Sequence, residues 1–96
     1  MQTAKFPLGQ LVMTRGVLDR VKQDSEFAMF CVQSLRRHAS GDWGDLDAGD
    51  KRESNYALKR GDLRIFSAYG KEGLPKIWII TEADRSVTTT LFPDEY

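Results

Sequence analysis

The chain has one cysteine, one histidine, three prolines and no net charge. Each scarcity removes a class of function. A lone cysteine, Cys31, cannot form an internal disulfide or a multi-cysteine zinc site. It lies in an apolar helical stretch and reads as a small buried hydrophobe rather than a reactive thiol, which needs an exposed, electropositive setting. Fourteen basic residues balance 14 acidic ones. That balance argues against a dedicated nucleic-acid binder, which carries a basic excess or stripe. No run approaches the roughly 20 apolar residues of a membrane span. Met1–Leu8 lacks an apolar core of signal-peptide length, so a soluble cytoplasmic protein is expected. A phosphate-cradling glycine loop, Gly-x-Ser-x-Gly and His-Glu-x-x-His are all missing.

What is present is enough for one small domain. Of the 96 residues, 41% are hydrophobic, and the aromatic and β-branched content suits a folded core rather than disorder. Leu11–Thr14 reads as a short strand. Thr14 would cap a helix from Arg15 to about Val21, weakened by Gly16. A second helix spans Ser25 to His38. Phe27, Phe30, Cys31 and Leu35 form one face at a 3.6-residue period, and Arg36 and Arg37 suit the negative end of the helix dipole. Asp47 and Asp50 read as a capping box for a third helix, Ala48 to Lys59, that Gly61 ends. Its apolar face, Tyr56, Ala57 and Leu58, is thin, as on a surface helix.

From Asp62 the period becomes two. Leu63–Tyr69, Lys76–Glu82 and Ser86–Phe92 read as strands. They are separated by a Gly70–Pro75 turn and an Ala83–Arg85 hairpin connection, and Pro93 leads into a tail. The expected fold class is α+β: a small antiparallel β-sheet, made of a C-terminal three-stranded meander plus the short N-terminal strand, packed against two to three helices. Trp78 and Ile80 would point to one face, Ile77 and Ile79 to the other. One face takes the helices. The second needs another cover, and a homodimer is one way to supply it.

The stretch Arg37–Leu46 concentrates the chemistry. It contains His38, Trp43 between Gly41 and Gly44, and the start of an aspartate series, Asp42, Asp45, Asp47 and Asp50. Such carboxylates can bind a divalent cation, but the EF-hand spacing fails because Tyr56 stands where the late glutamate belongs. Capping and loop ordering account for the aspartates, and neither a metal nor another cofactor is expected. His38 ends a helix beside two arginines, which lower its pKa, while the helix terminus and an Asp42 partner would raise it. With Arg64, Tyr69, Thr81, Arg85 and Thr88 as candidates on the strands it could form the base-and-arginine set of a small metal-independent nuclease. Alternatively, it orders the aspartate loop. Trp43 is either a core plug or an exposed anchor. As an anchor it would form a binding surface with Asp42, Asp45 and Arg37. Arg85 would pair with Asp84 or Asp42.

Arg37-His38-Ala39-Ser40-Gly41-Asp42-Trp43-Gly44-Asp45-Leu46, Ile77-Trp78-Ile79-Ile80-Thr81-Glu82-Ala83-Asp84-Arg85-Ser86 and the Leu91-Phe92-Pro93-Asp94-Glu95-Tyr96 ending together resemble a family of small bacterial proteins carried on plasmids, phages and integrated elements. The resemblance covers nearly the whole chain from Phe6. Members are sometimes labelled a type I restriction modification subunit. A methyltransferase subunit needs a cofactor-binding α/β domain and an Asn/Asp-Pro-Pro-aromatic motif, and this chain has neither. The resemblance implies a mobile-element setting and assigns no activity or site residue. The leading expectation is therefore an accessory protein that binds another protein, with inhibition of a host defence as one form of that role. The alternative is a nuclease or other hydrolase built on His38.

Overall fold

The computed structural model describes residues 4–96; Met1–Thr3, part of the stretch read for a leader, lie outside the described residues. The chain folds as α+β. Strand β1 (Gln10–Met13) leads into helices α1 (Arg15–Gln23), α2 (Ser25–Ala39) and α3 (Ala48–Arg60). Strands β2 (Ile65–Lys71), β3 (Leu74–Thr81) and β4 (Val87–Leu91) follow, and a short 3₁₀ turn, Pro93–Glu95, closes the chain. The sheet order is β1-β4-β3-β2. β2, β3 and β4 form the antiparallel meander, whereas β1 runs parallel to β4, so the sheet is mixed. The parallel pair follows from connectivity: the helices and the meander together carry the chain back to β1's side in the same direction. Among the described residues no helix is long and apolar enough to cross a membrane.

Register sorts the side chains between two faces. Ser67 pairs with Ile79 and Tyr69 with Ile77, placing these residues on one face with Thr81, Thr88 and Thr90. Helices α1 and α2 cover that face, and Val17, Phe27, Phe30 and Cys31 pack on Tyr69, Ile77 and Ile79 in the main core. Burial pushes the Cys31 thiol up to about 11, as suits an inert core side chain. The opposite face carries Phe66, Ala68, Trp78, Ile80 and Leu91. A second cluster joins Phe6, Trp43, Leu46, Ala57 and Ile65 to Ala68 around the β2 side of the sheet.

Local signals set most boundaries. Asp24 caps α2 by accepting from the Glu26 and Phe27 N–H groups. Asp47 caps α3 through the Asp50 N–H, and Gly61 ends it in the left-handed conformation. The expected Gly70–Pro75 turn is shorter: β2 runs through Lys71, and only Glu72 and Gly73 turn the chain. Pro75 sits inside β3 where the register slips between Tyr69 and Lys71, a bulge that asks no N–H of it.

Two expectations near the ends are corrected. The Thr14 side chain makes no cap bond to α1. It donates instead to Glu95 Oε1 at 2.6 Å. The residues after Pro93 are no loose tail. Glu95 also accepts from the Gly16 N–H at 3.1 Å and the Phe92 N–H at 2.9 Å, so its carboxylate takes over the capping of α1 from the far end of the chain. The hydrogen bond from Thr14 holds the Glu95 carboxyl below its ordinary pKa. A Cβ on Gly16 would sit 2.5 Å from Glu95 Oε2, so the glycine that weakens α1 by propensity makes room for its cap. Glu95→Ala should lower the unfolding free energy by about 1–2 kcal/mol in denaturant titrations, the range of a lost helix cap. Gly16→Ala should add stability only in the Glu95→Ala background. A gain from Gly16→Ala alone would show that Glu95 does not approach this closely.

Candidate functional site

α2 delivers His38 to the centre of the helix-covered face, where it is 0% exposed. Both ring nitrogens are engaged: Nδ1 lies 2.5 Å from Ser67 Oγ on β2 and Nε2 2.9 Å from Thr81 Oγ1 on β3. Thr81 Oγ1 is 2.7 Å from Thr88 Oγ1 on β4, and Thr88 donates to the Leu8 carbonyl at 2.6 Å. That last bond fixes the direction of the next two. A carbonyl only accepts, so Thr88 spends its one proton there and must accept from Thr81. Thr81 has then spent its own proton and accepts from His38 Nε2–H. Burial keeps the ring neutral, so Nδ1 is left as an acceptor and takes the Ser67 proton in preference to the more distant Ile79 carbonyl at 3.5 Å. The chain runs Ser67 to His38 to Thr81 to Thr88 to Leu8, every group satisfied with a neutral imidazole. Burial pushes the His38 pKa down from 6.5 to about 3.

The following loop is built around the same residue. Trp43 is 3% exposed and donates from Nε1 to Asn55 Oδ1 at 2.8 Å. Its ring meets His38 edge-on at 5.8 Å, and Phe6 packs on His38 at 5.4 Å. Trp43 is therefore the plug and not an exposed anchor. Asp42 does not reach His38 or Arg85. It pairs with Arg37 at 2.7 and 3.2 Å and accepts from the Gly44 N–H at 3.0 Å. The Arg37 guanidinium holds the Asp42 carboxyl below its usual range. Arg37 also lies over the Tyr69 ring at 4.9 Å, and the buried Tyr69 hydroxyl donates to the Asp42 carbonyl at 2.6 Å.

Gly44 forms a parallel bridge to Ala68 on the outer edge of β2. Asp45 N–H donates to the Ala68 carbonyl at 2.7 Å, and the Ala68 N–H donates to Trp43 O at 3.3 Å. The Ser54 hydroxyl of α3 takes the next outward carbonyl, Phe66 O, at 2.6 Å. Loop and helix together pair an edge that would otherwise be open. Gly44 has φ of 71°, and a Cβ there would lie 2.0 Å from Ala68 O.

Of the candidate nuclease set, Thr81 and Thr88 join His38 in this buried chain, but neither arginine does. Arg64 lies on the other face, donating to the Tyr96 hydroxyl at 2.6 Å and to Glu82 at 3.3 Å. Arg85 pairs with neither Asp84 nor Asp42. It clamps backbone carbonyls of Ala57, Leu63, Glu82 and Ala83, and Asp84 binds Ser86 instead. Its guanidinium rests over Phe6 at 5.9 Å, with that ring between it and His38. A base with no exposed surface and no free nitrogen has no reach to a substrate proton, so the hydrolase reading draws no support from this arrangement. Asp47 caps the α3 N-terminus through the Asp50 N–H, without the return bond from the Asp50 side chain that a capping box would add, and among the described residues no group of three or more His, Cys, Asp or Glu side chains is placed to hold a metal ion.

The open site lies elsewhere. Phe66 and Trp78 meet edge-on at 5.0 Å, and Tyr96 folds back onto Trp78 at 5.8 Å. With Glu53, Arg64 and Ile80 they line a groove of about 380 Å³ on the face away from α1 and α2. Of the candidate site residues named from sequence, only Arg64 lies here. The alternation that set Trp78 and Ile80 opposite Ile77 and Ile79 was the available signal. Nothing in the last residues indicated that Tyr96 would return to the sheet. Searches of protein-family models, curated proteins and solved structures found no match to this chain.

Two outcomes follow from the locked residues. His38 is raised in proton affinity by unfolding, because its folded pKa lies below its ordinary value. The unfolded chain thus binds the extra proton between the two values, and stability falls as pH drops below 6.5. From about pH 7.5 to about pH 5 the loss should reach about 2 kcal/mol, at about 1.4 kcal/mol per unit. Urea titrations of wild type and His38→Leu across this interval test it, and an equal slope in both would remove His38 as the cause. Gly44→Ala should cost more than about 3 kcal/mol, strain and clash together. Gly61→Ala, with similar φ but open space around it, should cost only about 1–2 kcal/mol.

Proposed function

We propose that the protein is a cytoplasmic accessory protein of a mobile element that acts by binding another protein through the Phe66–Trp78–Tyr96 groove. The carrying observation is the groove's composition. Trp78, Tyr96 and Arg64 are the three residue types that dominate binding energy at protein interfaces, and here they share one groove on the face opposite the helices. Tyr96 is 72% exposed. Its ring is already oriented by Trp78 and its hydroxyl by Arg64, so little side-chain freedom remains to be lost on binding. Glu53 stands at the wall with no ion pair among the described residues, which suits a partner side chain with a polar or cationic end. A host protein, with a defence component first among them, fits the mobile-element setting. Self-association, which the sequence suggested through this same face, finds its support at a different surface, the edge of β1.

Affinity capture from host lysate tests the reading. Wild-type protein should retain a specific partner. Trp78→Ala and Tyr96→Ala should each weaken capture by about 30-fold, the equivalent of about 2 kcal/mol. Met29→Ala, on the exposed side of α2, should leave it unchanged. Capture of nothing specific by wild type, or equal capture by all the variants, would overturn it.

A further inference from the structure

The two edges of the sheet are finished differently. The β2 edge is paired by the Trp43–Asp45 loop and Ser54. Among the described residues no strand pairs with the outer β1 edge, and its strand, Gln10-Leu11-Val12-Met13, holds no charge and no proline. Charge and proline are two of the devices that keep an edge strand from pairing with another chain.

The hydrogen bonds show which backbone groups are spare. Gln10 N–H donates to Ser86 O at 2.9 Å and Thr14 N–H to Thr90 O at 3.1 Å. In a parallel ladder the residues of one parity face the neighbour, so Gln10, Val12 and Thr14 face β4, while the N–H and C=O groups of Leu11 and Met13 face outward. The side chains of these same two residues lie on the helix-covered face, paired in register with Thr88 and Thr90. The helices nevertheless leave Leu11 55% and Met13 42% exposed. With Leu35 of α2 they line a small apolar cleft of about 110 Å³.

We infer that β1 is a self-pairing edge, and that two copies join antiparallel about a two-fold axis at Val12. In that register Leu11 lies opposite Met13 of the second copy, and the two exchange their outward N–H and C=O groups. The symmetric pair does the same. The four exposed apolar side chains meet on one face and close the mouths of both clefts. Gln10 falls opposite Thr14 and Gly9 opposite Arg15, so no like charges meet across the junction. Any other antiparallel register sets Leu11 or Met13 opposite a residue outside β1 or one whose groups face β4. The aromatic groove lies on β2 and β3, at the other end of the strand order, and stays open in both copies. Loss of self-pairing and loss of partner capture are therefore separable.

Cysteine cross-linking reads the register directly. Val12 and its symmetry mate form a non-hydrogen-bonded pair, with Cα atoms about 4.5 Å apart, inside the range a disulfide spans. Leu11 and its mate are diagonal neighbours at about 7–8 Å, outside it. The native Cys31 is buried and does not compete. Under mild oxidation Val12→Cys should convert to a covalent dimer, and Leu11→Cys should remain largely uncross-linked. By light scattering after size exclusion, wild type should run at twice the monomer mass. Leu11→Lys, with the circular dichroism of wild type, should run as a monomer. Failure of Val12→Cys to cross-link, cross-linking of Leu11→Cys at the same rate, or a folded Leu11→Lys that stays dimeric would each overturn the inference.

Discussion

The fold depends on one carbonyl. Because Leu8 O can only accept, the Thr88 proton is committed, and that commitment sets the protons back through Thr81 to His38 Nε2, while burial leaves Nδ1 bare to take the Ser67 proton. The chain crosses the N-terminal segment, β4, β3, α2 and β2. It ties the helical layer to the sheet at a point where dispersion alone would hold them. A buried polar network of this kind is favourable only when complete, since each orphaned group would carry its own desolvation cost. Completeness here requires a ring with one donor and one acceptor nitrogen. Neutral histidine meets that need, and no aliphatic side chain of similar size does.

The Arg37–Leu46 stretch is best understood as an extension of this lock. Trp43 and Phe6 seal the imidazole from water, and Asn55 satisfies the one polar atom that Trp43 brings inside. Asp42 and Arg37 fix the loop over Tyr69. Gly44 lets the backbone come close enough to bond Ala68. The densest concentration of functional-looking residues thus serves structure, and it closes the β2 edge as it does so. The surfaces left for recognition are those the lock does not touch: the aromatic groove on the opposite face and the outer β1 edge.

Long-range contacts also explain why the chain's last residues matter to its first helix. Thr14 has the right chemistry to cap α1, but Glu95 offers a charged acceptor that takes the Thr14 hydroxyl and the Gly16 N–H together. A charge-assisted bond outcompetes a neutral one at the same donors. The 3₁₀ turn that brings Glu95 there also returns Tyr96 to Trp78, so one short terminal turn shapes both the α1 cap and the proposed binding groove.

Periodicity, caps and turn residues were enough to locate three helices, a short first strand and a three-stranded meander, because those preferences act between residues a few positions apart. Asp24, Asp47 and Gly61 mark helix ends that way, and the alternation of Ile77 with Trp78 separated the two faces of the sheet. The inertness of Cys31 was legible for the same reason, from its place on the α2 stripe. Loop ordering by Asp42 and a buried plug at Trp43 were among the readings, but the partners that decide them, and the roles of His38 and Arg85, were not legible. Each was settled by partners 5 to 43 positions away in sequence: Arg37 for Asp42, Asn55 for Trp43, Ala57 for Arg85, Ser67 and Thr81 for His38. A polar side chain takes its protonation, its exposure and its use from whatever donor or acceptor the fold places beside it. Sequence could name the residue types available for chemistry; only the register of the sheet decided which of them were enclosed and which were left facing water.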